Sequence, residues 1–286
     1  CDREDFQLRE GPWAGHSLYE LYEWAHTPWE WHEALFQRGR ERGLHVFSSP
    51  FDRTAVDFLE DFDPPAYKIA SFELVDIPLI EYVASKGRPM IMSTGMANRV
   101  EVMEAVAAAR RAGCEDLGLL HCTSGYPTPV EEVDLRTLPH LAERYGVVPG
   151  LSDHTLERAV PSAAVALGAC VIEKHVTLRR EDGGPDAGFS LEPEELADLV
   201  HDAHTAWQAL GAVRDAPRES EATQRPLRRS LYIAQDLKAG DVLTGDNVRV
   251  VRPGYGLAPR YYEQALGSCV ARDVTNGEPL GWELLQ

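Results

Sequence analysis

Cysteine is scarce in this sequence and poorly placed for a structural role. There are five: Cys1, Cys114, Cys122, Cys170 and Cys269. The count is odd, the spacings are wide and no C-x-x-C occurs, which argues against a disulfide framework or a thiolate zinc site. A reducing, cytoplasmic compartment is the expectation, with the cysteines as core or inert thiols. Long apolar runs are missing as well. The longest mostly apolar stretch, 159–172, is too short and too interrupted to cross a bilayer, and no secretory signal pattern is visible. Basic charge is thin: 28 Lys and Arg stand against 46 Asp and Glu, a net charge of -18. Such a surface repels nucleic acid and anionic lipid, so neither is expected as a partner. It repels small anions at long range too, so any phosphate site must be a local group of Lys, Arg and backbone N–H. A glycine-rich dinucleotide turn is also lacking.

What is present is a regular alternation. The chain is 44% hydrophobic and 26% charged, ordinary for a soluble globular protein, and its 286 residues suit one large domain with a small companion. Short apolar runs at 44–48, 66–70, 89–93, 117–122, 147–151 and 170–176 read as strands buried on both faces. Helical patterns fill the gaps at 54–62, 78–85, 99–112, 135–145 and 157–167; Asn98 caps the third and Gly113 closes it. This alternation predicts a parallel α/β domain. Six strands are counted, whereas a closed (β/α)8 TIM barrel has eight. The segment 17–42 reads as one aromatic-rich helix leading into the first strand. The chain opens without Met on the charged run 1–5, so a barrel reading places two strands before residue 1. An open doubly wound sheet would need no such strands. A last helix over 191–211 ends the first domain, 1–213, and a polar linker follows over 214–227. Short strands at 231–234 and 248–251, with turns at 238–241, 253–256 and 275–278, then describe a small, helix-poor domain over 228–286.

In a parallel barrel the functional groups sit just past the C-terminal ends of the strands. Here those positions hold Ser48 and Ser49; Lys68, Ser71 and Glu73; Ser93, Thr94 and Gly95; His121, Thr123, Ser124 and Tyr126; Ser152, Asp153 and His154; and Glu173, Lys174 and His175. Hydroxyls, backbone amides and a lysine are what a phosphate or a phosphorylated carboxylate requires. Lys68 lies within a buried strand, where an unpaired charge is costly. It reads as an anion ligand or a Schiff-base nucleophile, or else as a structural partner of Glu73. His154 and His175, 21 residues apart on neighbouring strands, can converge on a divalent metal such as Mn2+ or Co2+; the plainer alternative is two hydrogen-bonded barrel histidines. His201 and His204, among Asp198 and Asp202, read as a solvated helix face. Trp24, Trp29 and Trp31, with His26 and His32, read as helix packing rather than as a sugar wall. Gly183-Gly184-Pro185-Asp186 forces a turn that presents Asp186 at the mouth, either to sugar hydroxyls or only to water.

Several of these segments are familiar when taken together. Tyr67-Lys68-Ile69-Ala70-Ser71-Phe72-Glu73, Ser93-Thr94-Gly95-Met96, His121-Cys122-Thr123-Ser124-Gly125-Tyr126-Pro127, Leu151-Ser152-Asp153-His154-Thr155 and Glu173-Lys174-His175 resemble, in order, the sialic acid synthase family. Arg228-Arg229-Ser230-Leu231 and Arg252-Pro253-Gly254-Tyr255-Gly256 resemble its antifreeze-protein-like (SAF) domain. Within the family, Ala25-His26-Thr27-Pro28-Trp29-Glu30-Trp31, Gly183-Gly184-Pro185-Asp186 and Phe189-Ser190-Leu191-Glu192-Pro193 look most like the branch that makes pseudaminic acid. The resemblance covers essentially the whole chain. It implies a (β/α)8 barrel, a divalent metal (Mn2+, Co2+ or Mg2+), a domain-swapped homodimer, and condensation of phosphoenolpyruvate with an amino-sugar aldehyde. It also implies that two strands with acidic, lysine and glutamine ligands precede Cys1. Carried over residue by residue, it assigns Ser49, Lys68, Ser71, Ser93, Ser124 and Ser152 to phosphoenolpyruvate, and His154 and His175 to the metal. Glu73, Tyr126 and Asp186 fall to the sugar and proton transfer, and Arg252 to an N-acyl group in the partner's barrel. Three alternatives remain beside it: the same chemistry yielding N-acetylneuraminic or legionaminic acid, a Schiff-base aldolase on Lys68, and a barrel that only binds sugar acids.

Overall fold

The structure is a computed structural model in which residues 3–286 are described; Cys1 lies outside the described residues. The chain divides into two compact units, one ending at Gly211 and one beginning at Ala212. The first unit opens with helices α1 (Leu18–Ala25), α2 (His32–Glu41) and α3 (Arg53–Glu60). The single helix expected over 17–42 is thus two. Ser17 and Glu20 form a reciprocal cap that starts α1. Pro28 has no N–H to continue it and disfavours helical geometry before it, so the chain leaves α1 extended at His26.

Five parallel strands follow: β1 (Tyr67–Ile69), β2 (Met90–Ser93), β3 (Leu117–Cys122), β4 (Val148–Asp153) and β5 (Val171–Lys174). Six were expected. The run 44–48 forms no ladder among the described residues; its tie to β1 is the Lys68 N–H donating to the Ser48 carbonyl at 3.3 Å. Leu44 and Phe47 are exposed, so the apolar pattern there does not report burial.

The sheet order is β1-β2-β3-β4-β5, each strand beside its sequence neighbour. Helices α4 (Ile77–Ala84), α5 (Arg99–Arg111), α6 (Thr137–Tyr145) and α7 (Ala159–Ala166) make the four crossovers. A doubly wound sheet reverses its strand order at a switch point. No reversal occurs here, and an unreversed β/α winding is that of an arc of a β/α barrel. The core lies between sheet and helices. Tyr67, Ile69, Met90, Met92 and Leu119 are fully buried against Ile80 and Val83 of α4 and against Ala105, Ala108 and Ala109 of α5. Alanines on α5 let that helix approach closely, and each large side chain removed from water contributes about 1.5–3 kcal/mol. Helix α8 (Pro193–Leu210) closes the unit.

The second unit has its own core of Leu231, Ile233, Leu243, Val248, Val270 and Leu280. It is built on an antiparallel pair, β6 (Ser230–Ile233) and β7 (Val248–Val251). Among the described residues no helix is long and apolar enough to cross a membrane.

Candidate active site

The polar residues expected at the strand ends form two adjoining groups. The first surrounds Lys68, which is only 6% exposed in β1. Its Nζ donates to Ser93 Oγ at 2.7 Å and to the Ile69 carbonyl at 3.0 Å. The carboxylate within ion-pair reach is Glu173, at 3.7 Å, so the structural pairing with Glu73 is not what forms. Burial pushes the ammonium below the ordinary lysine range, and Glu173 only partly offsets it. One long ion pair is thin compensation for a buried charge whose desolvation costs several kcal/mol. The residue lines a cleft with Phe47, Ser48, Ser49, Phe51 and Glu173. Glu173 also accepts from Ser152 Oγ at 2.7 Å, linking the ends of β4 and β5 to Lys68.

Beside this group, the turn after β2 brings two hydroxyls together. The Gly95 N–H donates to Ser71 Oγ at 3.1 Å, and Ser71 and Ser124 lie 3.5 and 3.8 Å from the Cys122 sulfur. A Cβ at position 95 would sit 2.2 Å from Ser124 Oγ and 2.7 Å from Ser71 Oγ, so glycine here leaves room for both hydroxyls. Glu73 occupies the short turn after β1. Its Oε2 is buried without a hydrogen-bond partner, and burial raises its carboxyl above the usual range.

The second group follows from strand alternation at β4 and β5. Asp153 and Lys174 form a buried ion pair at 2.8 Å, and Asp153 also accepts the Thr155 N–H at 2.9 Å. With these two fixed on one side, the residues that follow them, His154 and His175, turn to the other. Their ring centroids are 5.2 Å apart. His154 Nδ1 lies 3.0 Å from the Thr123 carbonyl, and His175 Nδ1 lies 3.4 Å from Asp186 Oδ2. Both partners are acceptors and assign the proton to Nδ1, which leaves each Nε2 with a free lone pair. Metal-binding histidines are oriented in this way. Burial alone would push the His154 imidazole down, but Cys122 and the Thr123 carbonyl raise it above its ordinary value. Among the described residues no group of three or more His, Cys, Asp or Glu side chains is spaced to hold an ion, so these two histidines supply two donors and no third. Tyr126 lies over His154, ring centroids 4.5 Å apart.

Within the first unit, therefore, Ser49, Lys68, Ser93, Ser71, Ser124, Ser152, His154, His175, Tyr126 and Asp186 are tied into one region by these contacts, with the half-buried Glu73 on the turn that carries Ser71. Arg252 belongs to the second unit, where it is exposed just past β7. Of the other candidates, Trp24 and Trp31 are exposed rather than packed. Asp198 and Asp202 pair with Arg158 beside the exposed His201 and His204, and Trp29 stacks on Phe58 at 4.3 Å. Sequence reasoning missed Glu173 as the link between Ser152 and Lys68, Cys122 as the neighbour of both serines, and the aromatic pair Trp13 and Phe189. Glu173 was visible as a strand-end acid; Trp13 lies in a stretch without periodicity and gave no signal.

Both units of the chain match known families. Residues 1–215 match the NeuB family and residues 228–286 the SAF domain. A pseudaminic acid synthase of Campylobacter jejuni is 40% identical over 98% of this chain and 81% of its own length. One from Helicobacter pylori is 39% identical over 97% of this chain and 82% of its own. The crystal structure of the spore coat polysaccharide biosynthesis protein SpsE from Bacillus subtilis superposes with a TM-score of 0.63 at 30% identity, covering 99% of this chain and 84% of that one. The chain belongs to the NeuB family, the sialic acid synthases, and carries a SAF domain over residues 228–286.

Proposed function

We propose that this protein is a pseudaminic acid synthase. It condenses phosphoenolpyruvate with 2,4-diacetamido-2,4,6-trideoxy-L-altropyranose, in its open-chain form, and water, giving pseudaminic acid and inorganic phosphate. Its first unit is an arc of a (β/α)8 barrel. The observation that carries the reading is the placement of a buried lysine–hydroxyl group beside two free imidazole nitrogens at one sheet edge, in a chain 40% identical to a named pseudaminic acid synthase.

The residues divide the work. Lys68 and Ser93, with Ser49, Ser71, Ser124 and Ser152, bind the charged ends of phosphoenolpyruvate and stabilise charge as it moves onto the phosphate. His154 and His175 would hold a divalent cation (Mn2+, Co2+ or Mg2+) through Nε2. When bound, that cation polarises the sugar aldehyde as a Lewis acid. C3 of phosphoenolpyruvate attacks the aldehyde carbon and positive charge develops at C2. Water adds there, and the C–O bond to phosphate breaks. Glu73, half-buried and raised in pKa, handles a proton in this sequence. Tyr126 and Asp186 grip the sugar, and Arg252 reaches an N-acyl group in the barrel of a partner subunit in a domain-swapped homodimer.

One observation favours a second reading. The depressed pKa of Lys68 is also what a Schiff-base aldolase needs. Phosphate release separates the two. With Mn2+, phosphoenolpyruvate and the trideoxy sugar, phosphate should appear only when all three are present. Preference for N-acetylmannosamine would move the assignment to N-acetylneuraminic acid. Turnover of pyruvate that survives chelation, with borohydride trapping on Lys68, would replace it with an aldolase.

A further inference from the structure

An N-terminal strap contributes a residue that the strand-end pattern does not contain. Residues 7–17 form a small antiparallel loop, closed by the Gln7–Ser17 bridge and by the Leu8 N–H donating to the His16 carbonyl at 2.9 Å. Gly11 and Gly15 take left-handed backbone, φ 84° and 93°, which lets so short a strap turn. Most of it is exposed, but Trp13 is half-buried. Its indole Nε1 donates to the Pro185 carbonyl at 2.8 Å, across 172 residues of sequence. Its ring lies 5.3 Å from Tyr126 and 6.4 Å from Phe189, centroid to centroid. Phe189 in turn stands 5.0 Å from Tyr126 and 5.0 Å from His175.

Trp13 and Tyr126, backed by Phe189 at only 3% exposure, therefore make an aromatic wall beside the imidazole pair, and the indole N–H ties down the residue preceding Asp186. Trp13 is only half-buried and reaches the polar mouth, where the Asp186 carboxylate and two imidazoles already face one another. An aromatic surface there suits the apolar parts of a sugar, its C–H faces and methyl groups, while Asp186 takes hydroxyls. The trideoxy diacetamido sugar has three methyl groups and few hydroxyls. A hydroxyl pressed on such a wall would lose its water without gaining a partner.

We infer that Trp13 is a sugar-side, specificity-determining residue: its ring contacts the apolar groups of the amino sugar, and its N–H holds the loop that presents Asp186. This deepens the proposed function and rests on its assignment of the imidazole side of the site to the sugar. The test is steady-state kinetics on the whole protein carrying Trp13→Ala or Trp13→Phe, with phosphoenolpyruvate and a panel of amino sugars that includes the trideoxy sugar and N-acetylmannosamine. The variants are read on whichever sugar the wild type uses best. That choice tests the proposed function separately from the role of Trp13. For Trp13→Ala we expect the KM for that sugar to rise about tenfold, the KM for phosphoenolpyruvate to change less than twofold, and preference for deoxy over hydroxylated sugars to fall. Trp13→Phe, which keeps a ring and loses the N–H, should retain the preference and lose part of the affinity. An unchanged sugar KM in Trp13→Ala, or equal rises in both KM values, would overturn the inference. The second result would leave Trp13 a merely structural fastener.

Discussion

At Lys68 the cost of burying a charge and the use of that charge meet in a single side chain. Two neutral acceptors and one carboxylate at 3.7 Å hold it, and burial outweighs them, so its pKa is lowered. The sign for catalysis follows. The ammonium is the form that binds phosphate, and it is lost as pH rises through a pKa below the ordinary lysine range. The KM for phosphoenolpyruvate should therefore climb on the alkaline side earlier than an exposed lysine would allow, as a pH profile of kcat/KM would show; a flat profile up to the ordinary lysine range would count against this role. Gly95 gives a second expectation at this scale. Alanine there must displace the Ser71 and Ser124 hydroxyls, so Gly95→Ala should weaken phosphoenolpyruvate use about 10²–10³-fold, the loss expected when positioned donors are removed. Far-UV circular dichroism should stay unchanged. Most of these side chains were legible in the sequence, because each stands at the end of a recognisable parallel strand. Glu73 was legible as a strand-end acid, as a candidate partner of Lys68 and, by the resemblance, as a proton-transfer group. The bond that forms instead, from Lys68 to Glu173, joins β1 to β5, and no local pattern reports a contact of that separation.

The strands and helices show where periodicity carries information and where it stops. Strands β1 to β3 have near-continuous apolar runs because they are largely buried on both faces, and a run of that kind is hard to mistake; β5 is only half-buried. The run at 44–48 has the same composition, yet its large side chains are exposed and it forms no ladder among the described residues. Composition cannot distinguish these cases; only the neighbouring strand can. Pro28 was readable as a breaker, but the aromatic density around it suggested continuity, and the helix splits there. Between strands the packing is close enough to make a sharp prediction. A Cβ at Gly150 of β4 would lie 2.4 Å from Leu120 Cδ2 and 2.7 Å from the Val171 carbonyl. The second contact is backbone and cannot rotate away. Gly150→Ala should therefore destabilise the first unit by about 1–3 kcal/mol, seen as a lower urea midpoint; an unchanged midpoint would mean that the β4–β5 spacing is looser than described.

Over the whole molecule, the acidic balance and the anionic substrate oppose each other. With a net charge of -18, the protein repels phosphoenolpyruvate at distance, while the buried lysine attracts it at contact. Salt screens the first effect far more than the second, since the screening length falls from about 30 Å at 0.01 M to about 10 Å at 0.1 M. Raising ionic strength over that range should increase kcat/KM for phosphoenolpyruvate a few-fold. A decrease would mean that attraction by exposed basic residues governs capture. The two-unit organisation was legible from the change in composition near 214, because each unit buries a core of its own. What the sequence left open was the convergence of the strand ends, which is a property of the folded sheet.

The central claim is that one sheet edge joins an enol phosphate to a sugar aldehyde and expels phosphate from carbon. Phosphoenolpyruvate labelled with oxygen-18 in the bridging C–O–P position tests it most directly, with both products of a reaction with the trideoxy sugar weighed by mass spectrometry. The account predicts heavy phosphate and an unlabelled nine-carbon sugar acid. Label retained in the sugar acid, or phosphate released with no such acid formed, would contradict it.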